Sequence, residues 1–240
     1  MVLIAGFPAG SWAANCYVAA TGPGSECVIV DPGQDAAGGI AEIVREHRLK
    51  PVAVLLTHGH VDHMWSVTPV AGTYDATAWI HPSDRHLLAD PMAGISPESA
   101  SMLLGGTYEF TEPEQVAELV DGQRLELAGL EVVVDHTPGH TAGSVAFRAP
   151  YAAEGVSEVM FSGDLLFEGS IGRTDLPGGD HPTMLRTLRD KVLALPDDIV
   201  VLPGHGGQTS IGRERATNPF LLQLADETAD DTAGRVTRGL

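Results

Sequence analysis

The sequence predicts a layered α/β fold. Apolar runs of strand length alternate with helix-spaced patterns, and Gly and Pro punctuate the joins. At 240 residues and 43% hydrophobic content, the chain can bury a substantial core. Four of the apolar runs lead through a Gly-containing turn to a histidine or an aspartate, the pattern expected where a rigid sheet presents a site at its strand ends.

In chain order, residues 15–20 and 26–31 read as a β-hairpin joined by Thr-Gly-Pro-Gly. After Asp31-Pro32-Gly33, the spacing of Ile40, Ile43 and Val44 predicts a helix with Asp35 as its N-cap. Residues 52–56 are continuously apolar, as in a strand covered on both faces. Further strands are expected at 78–80, 130–134, 144–147, 159–161 and 199–202. A second helix fits Leu185, Leu188, Val192 and Leu195, with Pro182 in its first turn. Residues 84–120 read as short helices forming one wall of a cleft. One domain is expected over 1–224, followed by a flexible acidic tail at 225–240.

Residues 57–63, Thr-His-Gly-His-Val-Asp-His, place three imidazoles and a carboxylate directly behind the run 52–56. These are the ligand types that zinc, iron and manganese favour, and a core would not hold so many without a cation. The other strand ends lead to His140, Asp164 and His205. His58, His60, Asp62, His63, His140, Asp164 and His205 exceed the needs of one tetrahedral ion and suit two. The arrangement expected gives His58, His60 and His140 to one ion and Asp62, His63 and His205 to the other, with Asp164 bridging. Two divalent ions balanced by two carboxylates and a hydroxide keep a net positive charge, which favours a carbonyl oxygen becoming anionic. Asp62 and Asp164 would orient that hydroxide, and the site reads as hydrolytic. Zinc is the first choice, with iron and manganese as alternatives. His47, His81, His86, His136 and His181 are read as structural, with His136 near enough to His140 to support it.

With 14 basic and 32 acidic residues, the formal charge of −18 disfavours nucleic acid and anionic membranes as partners. No run reaches the length of a membrane span and no signal-peptide pattern opens the chain, so a cytoplasmic location is the expectation. Cys16 and Cys27 read as reduced, partly buried thiols. Oligomeric state is not legible.

The run His58 to His63 resembles the His-x-His-x-Asp-His signature of the metallo-β-lactamase superfamily. His-Thr-Pro-Gly-His-Thr at 136–141, Ser-Gly-Asp at 162–164 and Pro-Gly-His-Gly at 203–206 resemble its remaining metal motifs. The segments 167–180 and 211–221 are similar to glyoxalase II-like hydrolases. The resemblance implies a four-layer αββα sandwich and hydrolysis of a small hydroxyacyl thioester such as S-lactoylglutathione. Longer glyoxalase II enzymes add a C-terminal helical region with basic residues for the glutathione carboxylates; here only Arg235 and Arg238 follow, leaving the thiol carrier open. Arg173 can meet a substrate carboxylate or pair with a neighbouring acid.

Among rivals, a persulfide dioxygenase would use one iron on His58, His140 and Asp164. A β-lactamase fits less well, because those enzymes generally lack the bridging aspartate. A non-catalytic metal-binding member of the fold is the third alternative.

Overall fold

The computed structural model describes residues 2–96, 100, 108–153 and 155–236, with side chains throughout except at 152 and 228–236. Two six-stranded sheets face each other. The first has the order β1-β2-β3-β4-β5-β6, comprising Leu3–Ala9, Ala14–Ala20, Glu26–Val30, Lys50–Leu55, Thr77–Ile80 and Val116–Glu118. The second has the order β14-β13-β10-β9-β8-β7. Its members in chain order are β7 Arg124–Leu127, β8 Leu130–His136, β9 Val145–Ala153, β10 Val156–Gly163, β13 Val200–Pro203 and β14 Thr209–Ser210. A small hairpin, β11 Leu166–Phe167 and β12 Ser170–Ile171, stands apart.

Strand alternation explains the layering. In β4, Ala53 and Leu55 face Val134, Phe147 and Phe161 between the sheets, whereas Val54, and Leu56 just past the strand, face outward against Ile40 and Val70. Helices α1 (Ala36–His47), α2 (Val61–Met64) and α3 (Val67–Tyr74) belong to the first half. Helices α4 (His181–Thr187), α5 (Ile211–Thr217) and α6 (Pro219–Val236) belong to the second, where Met184, Leu188, Ile211 and Leu221 pack on Met160 and Val201. The result is the expected αββα sandwich. Each fully buried aliphatic side chain contributes roughly 1.5–3 kcal/mol, so three apolar clusters outweigh the cost of the polar strand ends.

The expected hairpin is β2–β3, paired antiparallel from Tyr17 opposite Val30 to Ala20 opposite Cys27. The strand β1 was not legible, because Gly6 and Pro8 interrupt it; an edge strand tolerates both. Asp35 occupies the N-cap of α1 but makes no side-chain cap, since its backbone is left-handed (φ 56°). The apolar face of the second expected helix is buried, but its helix ends at Thr187 and continues as a wider turn, with the Leu193 amide bonded to the Leu188 carbonyl at 3.0 Å. Within 84–120 lie single helical turns at Arg85–Leu88 and Pro91–Gly94, then β6; residues 97–99 and 101–107 lie outside the described residues. Helix α6 runs across the expected boundary at 224/225 as far as Val236, and 237–240 lie outside the described residues. Among the described residues no helix is long and apolar enough to cross a membrane. Cys16 and Cys27 are unpaired and more deeply buried than the partial burial expected.

Candidate metal centre

The strand ends meet at one rim of the sandwich. From the first sheet, β4 delivers His58 and His60, and the single turn α2 carries Asp62 and His63. From the second, β8 delivers His140, β10 delivers Asp164 and β13 delivers His205. The register of β10 on β13 shifts between Phe161 and Gly163, a bulge that re-aims the chain just before Asp164. Gly172 passes so close to the Asp164 carbonyl that a Cβ there would collide with it, which explains glycine at this position.

All seven expected ligands come together. His60 Nδ1 lies 2.8 Å from His140 Nε2, and His63 Nε2 lies 3.2 Å from His205 Nε2. Asp62 Oδ2 is 3.2 Å from His205 Nε2 and 3.6 Å from His63 Nε2. Asp164 sits between the two groups, 3.5 Å from His140 through one oxygen and 3.4 Å from His63 through the other. The ligand atoms of His58, His60 and His140 lie within 4.8 Å of one another, as do those of Asp62, His63 and His205. The structure thus groups the residues in the two sets expected, with Asp164 adjoining both.

Hydrogen bonds fix which nitrogen of each ring is available. The Thr57 hydroxyl donates to Asp31 at 2.6 Å, so at 3.0 Å it accepts from His58 Nδ1–H. His63 Nδ1 donates to Asp31 at 3.0 Å, and His140 Nδ1 donates to the Arg173 carbonyl at 2.7 Å. In all three rings Nδ1 is committed and Nε2 faces the cluster. His58 Nε2 and Asp164 Oδ1 are buried without a hydrogen-bond partner among the described residues. Orphaned acceptors beside preset imidazoles fit divalent cations. A third grouping, Asp31 with His58 and His63, is also compact, but the Thr57 and His63 bonds occupy its carboxylate, so Asp31 orients ligands instead.

The electrostatics differ between the two sets. Burial, reinforced by neighbouring imidazoles, keeps His58 neutral well below the usual histidine range and lowers His60 to about 3. Burial opposes the charge on Asp62 and Asp164, yet His63 outweighs it and both carboxyls fall below their usual value. Burial likewise opposes charge on His63 and His205, while Asp62 and Asp164 raise both above it. One half offers neutral nitrogen donors and the other concentrates anionic oxygen, a division suited to two cations.

A pocket of about 650 Å³ opens over the cluster, walled by Trp12, Ile95, Phe167, Ile171 and Leu176. Arg173 reaches this pocket, and its side chain is held in a bidentate pair by Asp175 at 2.7 and 2.8 Å. Of the two roles expected for Arg173, the pairing with a neighbouring acid is the one formed. His136 stacks on His81 at 4.1 Å and bonds the Ala142 carbonyl, rather than hydrogen-bonding to or stacking on His140.

Four supporting residues were not singled out by the sequence. Asp31 orients His63. Asp84, buried, accepts from the Gly59 amide, the Thr141 hydroxyl and the Gly143 amide at 3.0, 2.6 and 2.7 Å, joining the His58–His60 turn to the His140 turn. Asn15 on β2 donates to the carbonyls of Pro203 and Gly206, both at 2.9 Å, and so clasps the turn carrying His205. Glu214, fully buried, accepts from the Gly169 amide, the Thr209 hydroxyl and the Asn218 amide. Asp31 carried the one available signal, a buried strand ending in Asp-Pro-Gly.

Comparisons with known proteins agree with this geometry. The family described as "Metallo-beta-lactamase superfamily" matches residues 9–205. An uncharacterised protein of Mycobacterium tuberculosis is 52% identical over 225 residues, covering 93% of this chain and all of that one. The hydroxyacylglutathione hydrolase GloC of Haemophilus influenzae is 37% identical over 193 residues, covering 80% of this chain and 86% of GloC. Among solved structures, the B3 metallo-beta-lactamase BLEG-1 superposes with a TM-score of 0.77 at 40% identity, covering 91% of this chain and 99% of BLEG-1. With its fold, its strand-end His/Asp cluster and this match in view, the chain belongs to the metallo-beta-lactamase superfamily.

Proposed function

We propose that the protein hydrolyses small hydroxyacyl thioesters, using two divalent metal ions held by His58, His60 and His140 and by Asp62, His63 and His205, with Asp164 between them. The observation that carries this reading is the placement of both ligand sets on either side of Asp164, at the floor of an apolar pocket. When bound, the ions supply a water acidified to a pKa of ~7 and a positive contact for the carbonyl oxygen. Zinc is the first choice for both positions, with iron or manganese as alternatives.

The chain's own residues do the rest. Asp62 and Asp164 face the reacting space as carboxylates and orient the attacking water. The Arg173 carbonyl and Asp31 hold the rings of His140 and His63 in place. Trp12 and Phe167 line the walls and limit competing water. In the reaction the water oxygen bonds to the carbonyl carbon and the C–S bond breaks. A carboxylate and a thiolate leave, and the two protons of the water pass to solvent. A thiolate whose parent pKa is about 8.5 departs without a proton donor, so the site needs no further acid. The likeness to GloC supports a hydroxyacyl thioester.

The test is release of free thiol from S-lactoylglutathione and related thioesters by protein loaded with zinc or iron(II). Oxygen uptake with glutathione persulfide and no thioester cleavage would replace this reading with an iron dioxygenase. The likeness to BLEG-1 favours a second reading, opening of a β-lactam ring. It predicts turnover of a chromogenic cephalosporin faster than of any thioester.

A further inference from the structure

Arg173 is the only Lys or Arg among the described residues that line the pocket, and its guanidinium is not free. Nε and one terminal nitrogen each meet a different oxygen of Asp175, at 2.7 and 2.8 Å, so the pair presents no net charge to the pocket. The Arg173 carbonyl is fixed on His140 Nδ1, which holds this segment beside the reacting centre. Among the described residues the rest of the wall carries no Lys or Arg, only Ser11, Gln34 and Ser170 as neutral polar groups beside the His/Asp cluster and the apolar side chains. Beyond the pocket, the formal charge of −18 repels anions.

We propose that Asp175 neutralises Arg173, so that the site selects thioesters whose thiol half carries no carboxylate. This rests on the thioester reading above. A glutathione thioester brings two carboxylates and one ammonium to a wall whose described residues include no unpaired Lys or Arg. A carboxylate that approaches Arg173 must displace Asp175 or stay beside it, and like charges placed together cost affinity. An uncharged thiol half meets no such opposition and lies against Trp12, Phe167 and Leu176. The Arg173–Asp175 pair is mostly exposed, at 61% and 68%, so it is weak enough for one substitution to alter the preference.

The experiment holds the acyl group constant. Metal-loaded protein is assayed with S-lactoylglutathione and with S-lactoyl-N-acetylcysteamine, whose thiol half is uncharged. The expected result is a kcat/KM about tenfold or more in favour of the uncharged thioester, the size of one unfavourable charge contact. Asp175→Asn, checked for an unchanged thermal midpoint, should free Arg173 and narrow that ratio by raising turnover of the glutathione thioester. Direct binding of S-methylglutathione, followed by calorimetry, should tighten in the same variant. Equal or better use of S-lactoylglutathione by the parent protein would overturn the inference and leave the thioester reading standing. An unchanged ratio in Asp175→Asn would overturn the role given to Asp175. Cleavage of neither thioester would overturn the thioester reading itself, and this inference with it.

Discussion

His63 Nδ1 lies 3.0 Å from Asp31 Oδ2, and the same carboxylate takes the Thr57 hydroxyl at 2.6 Å and the Thr57 amide at 2.8 Å. All of these donors need an acceptor, and an asparagine would set an N–H against at least one of them. Asp31→Asn should therefore weaken metal binding at the Asp62–His63–His205 set by about 10–100-fold, with a smaller effect at the other set. Titration with a competing chelator, read with the metal content per chain, checks this. Equal loss at both sets would count against an orienting role through His63.

Asp84 holds three donors from two turns, each bond joining residues 25 or more positions apart. Asp84→Ala orphans them and should cost about 2–5 kcal/mol. Urea denaturation of the metal-free protein measures the loss without interference from metal binding, and Asp84→Asn should recover part of it.

Glu214 ties α5 to the β11–β12 hairpin through the Gly169 amide, and Asn218 adds a bond of 3.0 Å to the Ser170 carbonyl. That hairpin supplies Phe167 and Ile171 to the pocket. Glu214→Ala should lower stability by about 2–4 kcal/mol, because a buried network loses its centre. It should also raise KM more than it lowers kcat. Steady-state kinetics with a thioester, alongside thermal melts, separates the two effects.

Cys16 and Cys27 are both fully buried, and burial raises both thiols, that of Cys27 to about 12. Neither should react with a thiol reagent at pH 8 in the native protein, and both should react once it unfolds. Their neutral forms favour the folded state below the unfolded pKa of about 8.5, and that stability is lost as pH rises towards 12. Denaturation midpoints across this window should fall, and Cys27→Ala should flatten the decline.

Chelation should lower the thermal midpoint reversibly. At a free metal concentration of about 1,000 times Kd, the folded state gains about 4 kcal/mol, or roughly 8–16 °C for a domain of this size. A midpoint insensitive to chelator would contradict metal binding at these sets.

Much of the fold and the centre was legible because it is written in short range. The run 52–56 alternates between two buried faces, and the cluster at 58–63 needs only a tight turn and one helical turn to converge. The strand at Leu3–Ala9 was hidden by Gly6 and Pro8, which local propensity counts against a strand and an edge position permits. The expected cap at Asp35 failed because the cap residue's own backbone turned left-handed, a choice local pattern does not encode.

By itself, the sequence determined the candidate ligand types, their place at four strand ends and the apolar periodicity of the layers. Only the tertiary structure decided how those ligands are held. Asp31 reaches His63 across 32 positions, Asp84 reaches Gly143 across 59, and Asn15 reaches Pro203 across 188. Such contacts follow from two sheets closing on a shared core, which brings distant strand ends within hydrogen-bond distance, and spacing along a chain carries no record of that closure.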